Sequence, residues 1–226
     1  MKALIVIPAL NESQTIAKVI GGLPKNINGV LFDCLVVDDG STDGTSASVP
    51  QKPNVKVLRH LINRGAGAAT RTGIEYAKSK KYDMLITFDA DGQHSAGDLQ
   101  KLVSPLLKKE ADLVIGSRFK SRQRMPMDRL LINRIANLTT FLFFGVLSSD
   151  SQSGLKAFSK KAIDKIEIKS DRMEFSSEIL LEAKKHNLKV VEVPTSAIYT
   201  KYSRQKGQSN LNALPVAARL VIKLLR

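Results

Sequence analysis

The chain has a single cysteine, and its three histidines are scattered. Cys34 therefore has no partner for an internal disulfide, and its place in the apolar run 31–37 predicts a buried packing residue. Low cysteine content of this kind is typical of a reducing compartment. Because neither residue type is clustered at the spacing of metal ligands, we expect no zinc site.

Aromatic residues are scarce, at 5% with no tryptophan, although the chain carries a net charge of +14. Basic chains bind nucleic acids, anionic membranes or phosphorylated ligands. Because the sequence offers no aromatic platform for stacking bases, nucleic acid is the least favoured of these partners. The charge is also uneven, since acidic turns lie in the first half whereas every charged residue after Ser196 is positive.

Long hydrophobic runs are lacking as well. The nearest candidate for a membrane span, residues 138–147, is ten residues long, which fits a core helix or an interfacial segment better than a span. Residues 1–8 form an apolar run too short for a secretory signal, and the run ends in proline. We therefore expect a chain that does not span the membrane.

Apolar runs typical of strands alternate with segments of helical periodicity. This rhythm predicts an α/β fold with a mostly parallel, doubly wound central sheet flanked by helices. Strands are predicted at 3–7, 31–37, 55–58, 84–88, 113–115, 155–158 and 190–193. Helices are predicted at 12–23, 43–49, 66–77, 98–107 with Ser95 as a candidate N-cap, 127–147 as one piece or two, 174–186 and 211–225.

No internal repeat or low-complexity linker divides the chain, so residues 1–226 are predicted to form one domain. In doubly wound sheets, ligands bind at the carboxyl ends of the strands. Polar motifs follow four of the predicted strands, at Asn11-Glu12, Asp38-Asp39, Asp89-Ala90-Asp91 and Arg118. We therefore expect these side chains to converge at one edge of the sheet and to form one site.

Asp89 and Asp91 are separated by one residue and directly follow a predicted strand. A turn after Asp89 would bring both carboxylates and the amide oxygen of Gln93 onto one ion. An all-oxygen ligand set suits Mg²⁺ or Mn²⁺ and is poor for Zn²⁺. The alternative is a solvated acidic turn, but the second acidic turn at Asp38 and Asp39 favours the metal site.

Five segments of the first half form an ordered set of motifs, at 7–12, 37–45, 63–68, 89–94 and 116–118. Together they resemble the family 2 inverting glycosyltransferases of GT-A fold. Segments 133–137, 150–158 and 204–209 of the second half are similar to the dolichol-phosphate mannose synthase group and related polyprenyl-phosphate sugar transferases. Leu155 and Lys156 differ from that group, which usually has Phe or Tyr followed by Arg.

The resemblance implies a GT-A domain whose residues 1–118 bind a nucleotide sugar and whose residues 119–226 bind the acceptor. Mg²⁺ or Mn²⁺ held by Asp89, Asp91 and Gln93 would neutralise charge on the donor's diphosphate. The implied donor-binding residues are Pro8, Asn11, Glu12, Asp39, Gly67, Asp89, Ala90 and Arg204. The implied acceptor-phosphate residues are Arg118, Arg134, Ser153 and Lys206, and the implied catalytic residues are Asp150 and Arg118.

Several of these residues also have a structural alternative. Asp39 would begin a turn, Glu12 would interact with a helix dipole, and Pro8 would end a strand. Gly67 would allow either a close approach of the nucleotide or loop packing. Asp150 would orient the acceptor or the sugar, or cap the turn that follows it.

The expected activity is transfer of a hexose from a nucleotide sugar to a dolichyl or polyprenyl phosphate. GDP-mannose is the first choice of donor, followed by UDP-glucose and a UDP-N-acetylhexosamine. A phosphate acceptor needs no strong general base, because its second pKa is about 6. The alternatives are a soluble saccharide or protein acceptor, which would need a base, and a non-catalytic nucleotide-binding module or NAD enzyme.

Two predicted helical segments, 138–147 and 211–225, are apolar and have basic flanks. Such helices suit the surface of an anionic membrane, although they would also close a core. We therefore expect C-terminal interfacial helices and peripheral contact with the cytoplasmic face of a membrane. The sequence does not predict the oligomeric state.

Overall fold

Strands and helices alternate through residues 1–121 and 127–198, the part of the chain that the computed structural model describes. The strands there are β1 (Lys2–Ala9), β2 (Asn26–Ile27), β3 (Val30–Asp38), β4 (Val55–Arg59), β5 (Met84–Thr87), β6 (Leu113–Ser117), β7 (Lys156–Ser159) and β8 (Val190–Pro194). The helices are α1 (Ile16–Gly22), α2 (Ala66–Ser79), α3 (Leu99–Leu107), α4 (Met127–Phe144), α5 (Lys160–Lys165) and α6 (Phe175–Lys185). The predicted α/β class is confirmed.

The described strands form one sheet in the order β2-β3-β1-β5-β7-β6-β8, with β4 also paired to β3. β1 is parallel to β3 and β5, β4 is parallel to β3, and β6 is parallel to β8. β7 is antiparallel to both β5 and β6, so the sheet is mixed. Because β7 runs in reverse, its first residue lies at the edge where β5 and β6 end, and the turn before β7 joins that edge.

Both faces of the central strands are buried. In β1, Ile5 and Ile7 face one core cluster, while Leu4 and Val6 face the other, as the alternation of side chains in a strand requires. Helices α1 and α3 cover the first face, and α2, α5 and α6 cover the second. Cys34 lies in the first cluster, where burial raises its pKa to about 12, in agreement with the predicted packing role.

Several elements differ from prediction. The sequence does not predict α5 or β2, because both are too short for a clear period. Residues 43–49 form only the 3₁₀ turn Ser46–Ser48, and Ser95 caps the 3₁₀ turn Ala96–Asp98 instead of α3. Of the predicted helical stretch 127–147, residues Met127–Phe144 form the single helix α4, and Gly145 follows its end with a φ of 59°. The predicted helix 211–225 lies outside the described residues.

The second half of the chain contributes β7 and β8 to the same sheet as the first half. The predicted division into a donor-binding half, 1–118, and an acceptor-binding half, 119–226, stays a prediction.

Candidate active site

The sheet edge where β1, β5 and β6 end carries a cleft of about 210 Å³. Along this edge the strands follow in the order β1, β5, β7, β6, so the loops after β1 and β5 lie beside the turn before β7. These segments and the starts of α2 and α6 line the cleft, with Pro8, Glu12, Ala66, Thr70, Thr87, Asp89, Ala90, Asp91, Gln152, Gly154, Met173, Phe175 and Ser176. The structure thus brings Glu12, Asp89 and Asp91 together.

Asp89 and Asp91 interact closely after β5. The Nε2 atom of His94 lies 2.8 Å from Asp89 Oδ2. Burial opposes ionisation of Asp89, but the charge and hydrogen bond of His94, together with the charges of Arg118 and Lys156, outweigh burial and lower the pKa of Asp89. Burial, and after it the negative charge of Asp89, raises the pKa of Asp91. A cation would stabilise two carboxylates that repel each other in one cleft.

This ligand set fits a hard divalent cation that phosphate oxygens complete. Mg²⁺ is usually held by one or two carboxylates plus substrate phosphates, and Asp89 and Asp91 supply that number. In the described part of the chain, no three histidine, cysteine or acidic side chains are placed to hold an ion by themselves. The backbone N–H and the side-chain amide nitrogen of Gln93 both donate to Asp91 and orient it. The predicted role of the Gln93 amide oxygen as a metal ligand stays a prediction.

His94 is a residue to which the sequence assigns no role, although it directly follows the acidic motif. Its ring packs edge-on against Phe88 with the centroids 5.5 Å apart. Its buried Nδ1 has no partner among the described residues. The bond from Nε2 makes His94 a positioning residue for Asp89, and its place in the motif is the only signal in the sequence.

The loop after β1 forms one end of the cleft. Pro8 lies within β1 and does not end it, and the buried Glu12 donates its backbone N–H to Thr45 Oγ1 at 2.8 Å. Asn11 has a φ of 55°, and its Oδ1 accepts from the N–H of Thr42 at 2.9 Å. These bonds hold the loop after β1 against the loop after β3.

Asp39 and Gly67 serve packing in this structure, and the donor-binding roles predicted for them stay predictions. The Asp39 carboxylate pairs with His60 Nδ1 at 2.7 Å and accepts from two backbone N–H groups of the loop 60–65 at 3.0 and 2.6 Å. Asp39 therefore fixes that loop and does not line the cleft. A Cβ on Gly67 would overlap the carbonyl oxygen of Ser170, so α2 needs glycine there to pack.

Arg118 and Asp150 form an ion pair at the end of β6. The Nε and Nη2 atoms of Arg118 lie 2.8 and 2.7 Å from the two carboxylate oxygens of Asp150, and the Arg118 backbone N–H donates to the same group at 3.0 Å. Asp150 is fully buried and does not line the cleft. Asp150 therefore holds Arg118 in this structure. The catalytic role predicted for Asp150 stays a prediction.

The other predicted acceptor residues are placed differently. Ser153 is buried, and its Oγ accepts from the N–H of Leu155 at 3.3 Å. Its predicted contact with the acceptor phosphate stays a prediction. Arg134 is exposed on α4. Arg204 and Lys206 lie outside the described residues, and their roles stay predictions.

Lys156 is a further residue whose role the sequence does not predict, although it differs from the Arg usual in the resembling group. Its side chain is fully buried, and Nζ donates to the carbonyl oxygens of Ser151 and Ser153. Burial lowers its pKa to about 8, although the charges of Asp150 and Asp89 oppose the shift. A buried ammonium is rare and needs such partners, which here belong to the turn before β7.

Helix α4 is polar toward the protein and apolar toward solvent. Asn137 bonds to the backbone of Ser149 and Ser151, and Thr140 Oγ1 lies 2.9 Å from Ser177 Oγ. The exposed side carries large apolar residues at helical spacing, namely Met127, Leu131, Ile135, Leu138, Phe141 and Leu142. This is the reverse of a helix that covers a core. Among the described residues, no helix is long and apolar enough to cross a membrane.

Comparison with known proteins identifies relatives over nearly the whole chain. The family model "Glycosyl transferase family 2" matches residues 4–167. The UDP-N-acetylglucosamine–dolichyl-phosphate N-acetylglucosaminyltransferase of Methanococcus voltae is 35% identical over 96% of this chain and 94% of its own. The undecaprenyl-phosphate mannosyltransferase of Micrococcus luteus is 30% identical over 94% of this chain and 88% of its own.

Solved structures share the fold. The crystal structure of glucosyl-3-phosphoglycerate synthase from Mycobacterium tuberculosis, in complex with Mn²⁺, uridine diphosphate and glucosyl-3-phosphoglycerate, has a TM-score of 0.67. It is 22% identical and covers 99% of this chain and 78% of its own. At this identity the likeness shows the fold alone, and it confirms the predicted GT-A fold.

Proposed function

Since the chain belongs to glycosyl transferase family 2 and is a glycosyltransferase, we propose that it moves a hexose from a nucleotide sugar to a polyprenyl phosphate at a membrane surface. The order of groups along the sheet edge carries this proposal. Glu12 lies in the loop after β1, Asp89 and Asp91 follow β5, Gln152 precedes β7, and Arg118 follows β6, and these strands are neighbours in the order β1, β5, β7, β6. Nucleoside, diphosphate with its cation, sugar and acceptor phosphate would follow the same order.

On the donor side, Asp89 and Asp91 would hold Mg²⁺ or Mn²⁺. When bound, the cation neutralises the charge that develops on the departing nucleoside diphosphate. His94 keeps Asp89 ionised and oriented, and Gln93 orients Asp91. The relative that uses UDP-N-acetylglucosamine is more similar than the mannosyltransferase, which favours that donor over GDP-mannose, the first choice from the sequence.

In the proposed reaction, an oxygen of the acceptor phosphate attacks the anomeric carbon of the sugar. The bond from that carbon to the diphosphate breaks, and the nucleoside diphosphate leaves with the bonding electrons. A phosphate monoester is ionised near pH 7, so no side chain has to remove a proton. Arg118, oriented by Asp150, and the exposed Arg134 are the described candidates for holding the acceptor phosphate.

The proposed acceptor is a lipid, and α4 supplies a surface that would meet the bilayer. Its exposed apolar residues and the net charge of +14 suit peripheral contact with an anionic membrane. A nucleotide-sugar donor and a lone buried cysteine favour the cytoplasmic face.

A donor screen tests the proposal. The protein is incubated with a polyprenyl phosphate, Mn²⁺ and, in turn, UDP-N-acetylglucosamine, UDP-glucose or GDP-mannose. We expect one donor to give a lipid-linked product and EDTA to abolish its formation. Because direct displacement inverts the anomeric centre, an α-linked donor should give a β-linked product. An α-linked product, transfer only to water-soluble sugars, or full activity in EDTA would contradict the proposal.

A further inference from the structure

The turn before β7 forms the wall of the cleft on the side of Asp89 away from Glu12. Thr87 Oγ1, at the end of β5, donates to the carbonyl oxygen of Gly154 at 2.6 Å, which holds the turn against β5. A Cβ on Gly154 would overlap the Asp89 carboxylate, so the turn lies directly against that side chain. From this turn, Gln152 and Gly154 line the cleft.

The orientation of the Gln152 amide follows from hydrogen bonds that begin at α4. Asn137 Nδ2 donates to the carbonyl oxygen of Ser149 at 2.6 Å, and Asn137 Oδ1 accepts from the N–H of Ser151 at 2.9 Å. Because both partners are backbone groups, the Asn137 amide has one orientation. The Ser151 hydroxyl then donates to Asn137 Oδ1 at 2.9 Å, which leaves Ser151 Oγ as an acceptor.

A second set of hydrogen bonds leaves a serine Oγ of α6 as an acceptor in the same way. The hydroxyl of Thr140 has two acceptors, the carbonyl oxygen of Ala136 at 2.9 Å and Ser151 Oγ at 3.3 Å. With either acceptor, Thr140 Oγ1 accepts from the hydroxyl of Ser177 at 2.9 Å. Ser177 Oγ is thereby left as an acceptor. Gln152 donates its two amide hydrogens to Ser151 Oγ at 3.2 Å and to Ser177 Oγ at 3.0 Å.

The carbonyl oxygen of Gln152 is consequently the end of the amide that faces the cleft. Among the described residues no group donates to it, and it is not a buried unpaired atom, so a ligand in the cleft can reach it. Met173 and Phe175 line the same cleft and provide apolar surface. A sugar ring carries hydroxyl donors, which match the Gln152 oxygen, and apolar C–H faces, which match the surface of Met173 and Phe175.

We infer that Gln152 is a specificity-determining residue, which accepts a hydrogen bond from a hydroxyl or an acetamido N–H of the donor's sugar. The inference rests on the proposed function. Gln152 precedes β7, which lies next to β5 on the side away from β1, so the strand order places it where the sugar would follow the diphosphate. The Gln152 amide cannot rotate by 180° to exchange its oxygen and nitrogen without losing both of its hydrogen bonds. A donor that lacks the matching group would leave the oxygen unpaired and would be rejected.

Donor analogues combined with substitutions test this inference. Three proteins are assayed with the donor found in the screen and with its monodeoxy analogues: wild type, Gln152→Leu and the matched control Gln100→Leu. Gln100 is an exposed residue on α3. We expect wild type and control to discriminate at least about tenfold in kcat/KM against one analogue. Gln152→Leu should lose about tenfold in kcat/KM with the full donor and should lose that discrimination.

Binding of the nucleoside diphosphate with Mn²⁺, measured by calorimetry, should be unchanged in Gln152→Leu, because Gln152 meets only the sugar. Equal kcat/KM and equal discrimination in wild type and Gln152→Leu would overturn this inference alone. If wild type turns over no nucleotide sugar, the proposed function fails and the inference fails with it. If Gln152→Leu does not fold, Gln152→Asn must show the same loss, because the shorter side chain withdraws the oxygen.

Discussion

At the scale of single residues, the site is a set of ionisable groups that lie within reach of one another's charge. Asp150 is neutralised by Arg118. The negative charges of Asp150 and Asp89 also reach Lys156 and raise its pKa against the effect of burial. Asp89 and Asp91 repel each other. We therefore expect the mutually repelling carboxylates, Asp89 and Asp91, to bind a cation, whereas the paired carboxylate of Asp150 supports the sheet edge.

Replacing Asp91 with Asn should remove activity without unfolding the protein. Asn relieves the repulsion with Asp89, so the free energy of unfolding should stay equal or rise. Turnover should fall at least about a hundredfold, because electrostatic stabilisation of developing charge is worth that much. Asp164→Asn, half exposed on α5, is the matched control and should change neither quantity. Near-normal turnover of Asp91→Asn at limiting Mn²⁺ would refute the metal assignment.

Lys156 should make stability depend on pH in a defined window. Burial lowers its pKa from 10.5 to about 8, so between these values the unfolded chain binds more protons than the folded chain. By linkage, the cost of burying the ammonium is fully present below pH 8 and is relieved as the pH rises toward 10.5. Urea unfolding at several pH values should show wild type gaining up to about 3 kcal/mol relative to Lys156→Met across this window. A pH-independent difference would contradict a buried, titrating Lys156.

At the scale of elements, α4 connects the site to the outside of the molecule. Its inward side reaches the turn before β7 and the start of α6 through the hydrogen bonds of Asn137 and Thr140. Its outward side is apolar. The same helix therefore orients Gln152 and presents the surface that we expect to meet lipid.

The triple variant Leu131→Ser, Leu138→Ser, Leu142→Ser should weaken vesicle binding and leave the fold intact. These side chains are already 62, 56 and 67% exposed, so they contribute little to the core. Losing their burial in lipid should lower the binding constant at least about tenfold in a flotation assay. Leu31→Ser, 54% exposed at the start of β3 on the opposite edge of the sheet, is the matched control. Equal flotation of all three proteins would show that α4 does not meet the bilayer.

At the scale of the whole molecule, the net charge of +14 should act together with that apolar face. Flotation should rise with the fraction of anionic lipid and fall with salt, because the Debye length shortens from about 10 Å at 0.1 M to about 3 Å at 1 M. Neutral vesicles in high salt should retain only the weak apolar contribution. Flotation that ignores both lipid charge and salt would show that electrostatics plays no part in docking.

The sequence alone determined the order of the elements and the placement of the acidic motif at a strand end. Apolar periodicity and the position of an acid after a strand are local properties, so they are readable without the fold. The reversed direction of β7 was not readable, because the sequence of a four-residue strand does not show its direction in the sheet. That reversal puts Gln152 and Gly154 into the cleft.

Only the tertiary structure decided which charged groups line the cleft and which pair elsewhere. Asp150 meets Arg118 across 32 residues, and Asp39 meets the loop 60–65. Partners so far apart in the chain leave no local pattern. The outward direction of the apolar side of α4 was decided in the same way, because its polar side finds hydrogen-bond partners around the turn before β7. A buried polar group must be paired, and only the fold supplies the partner.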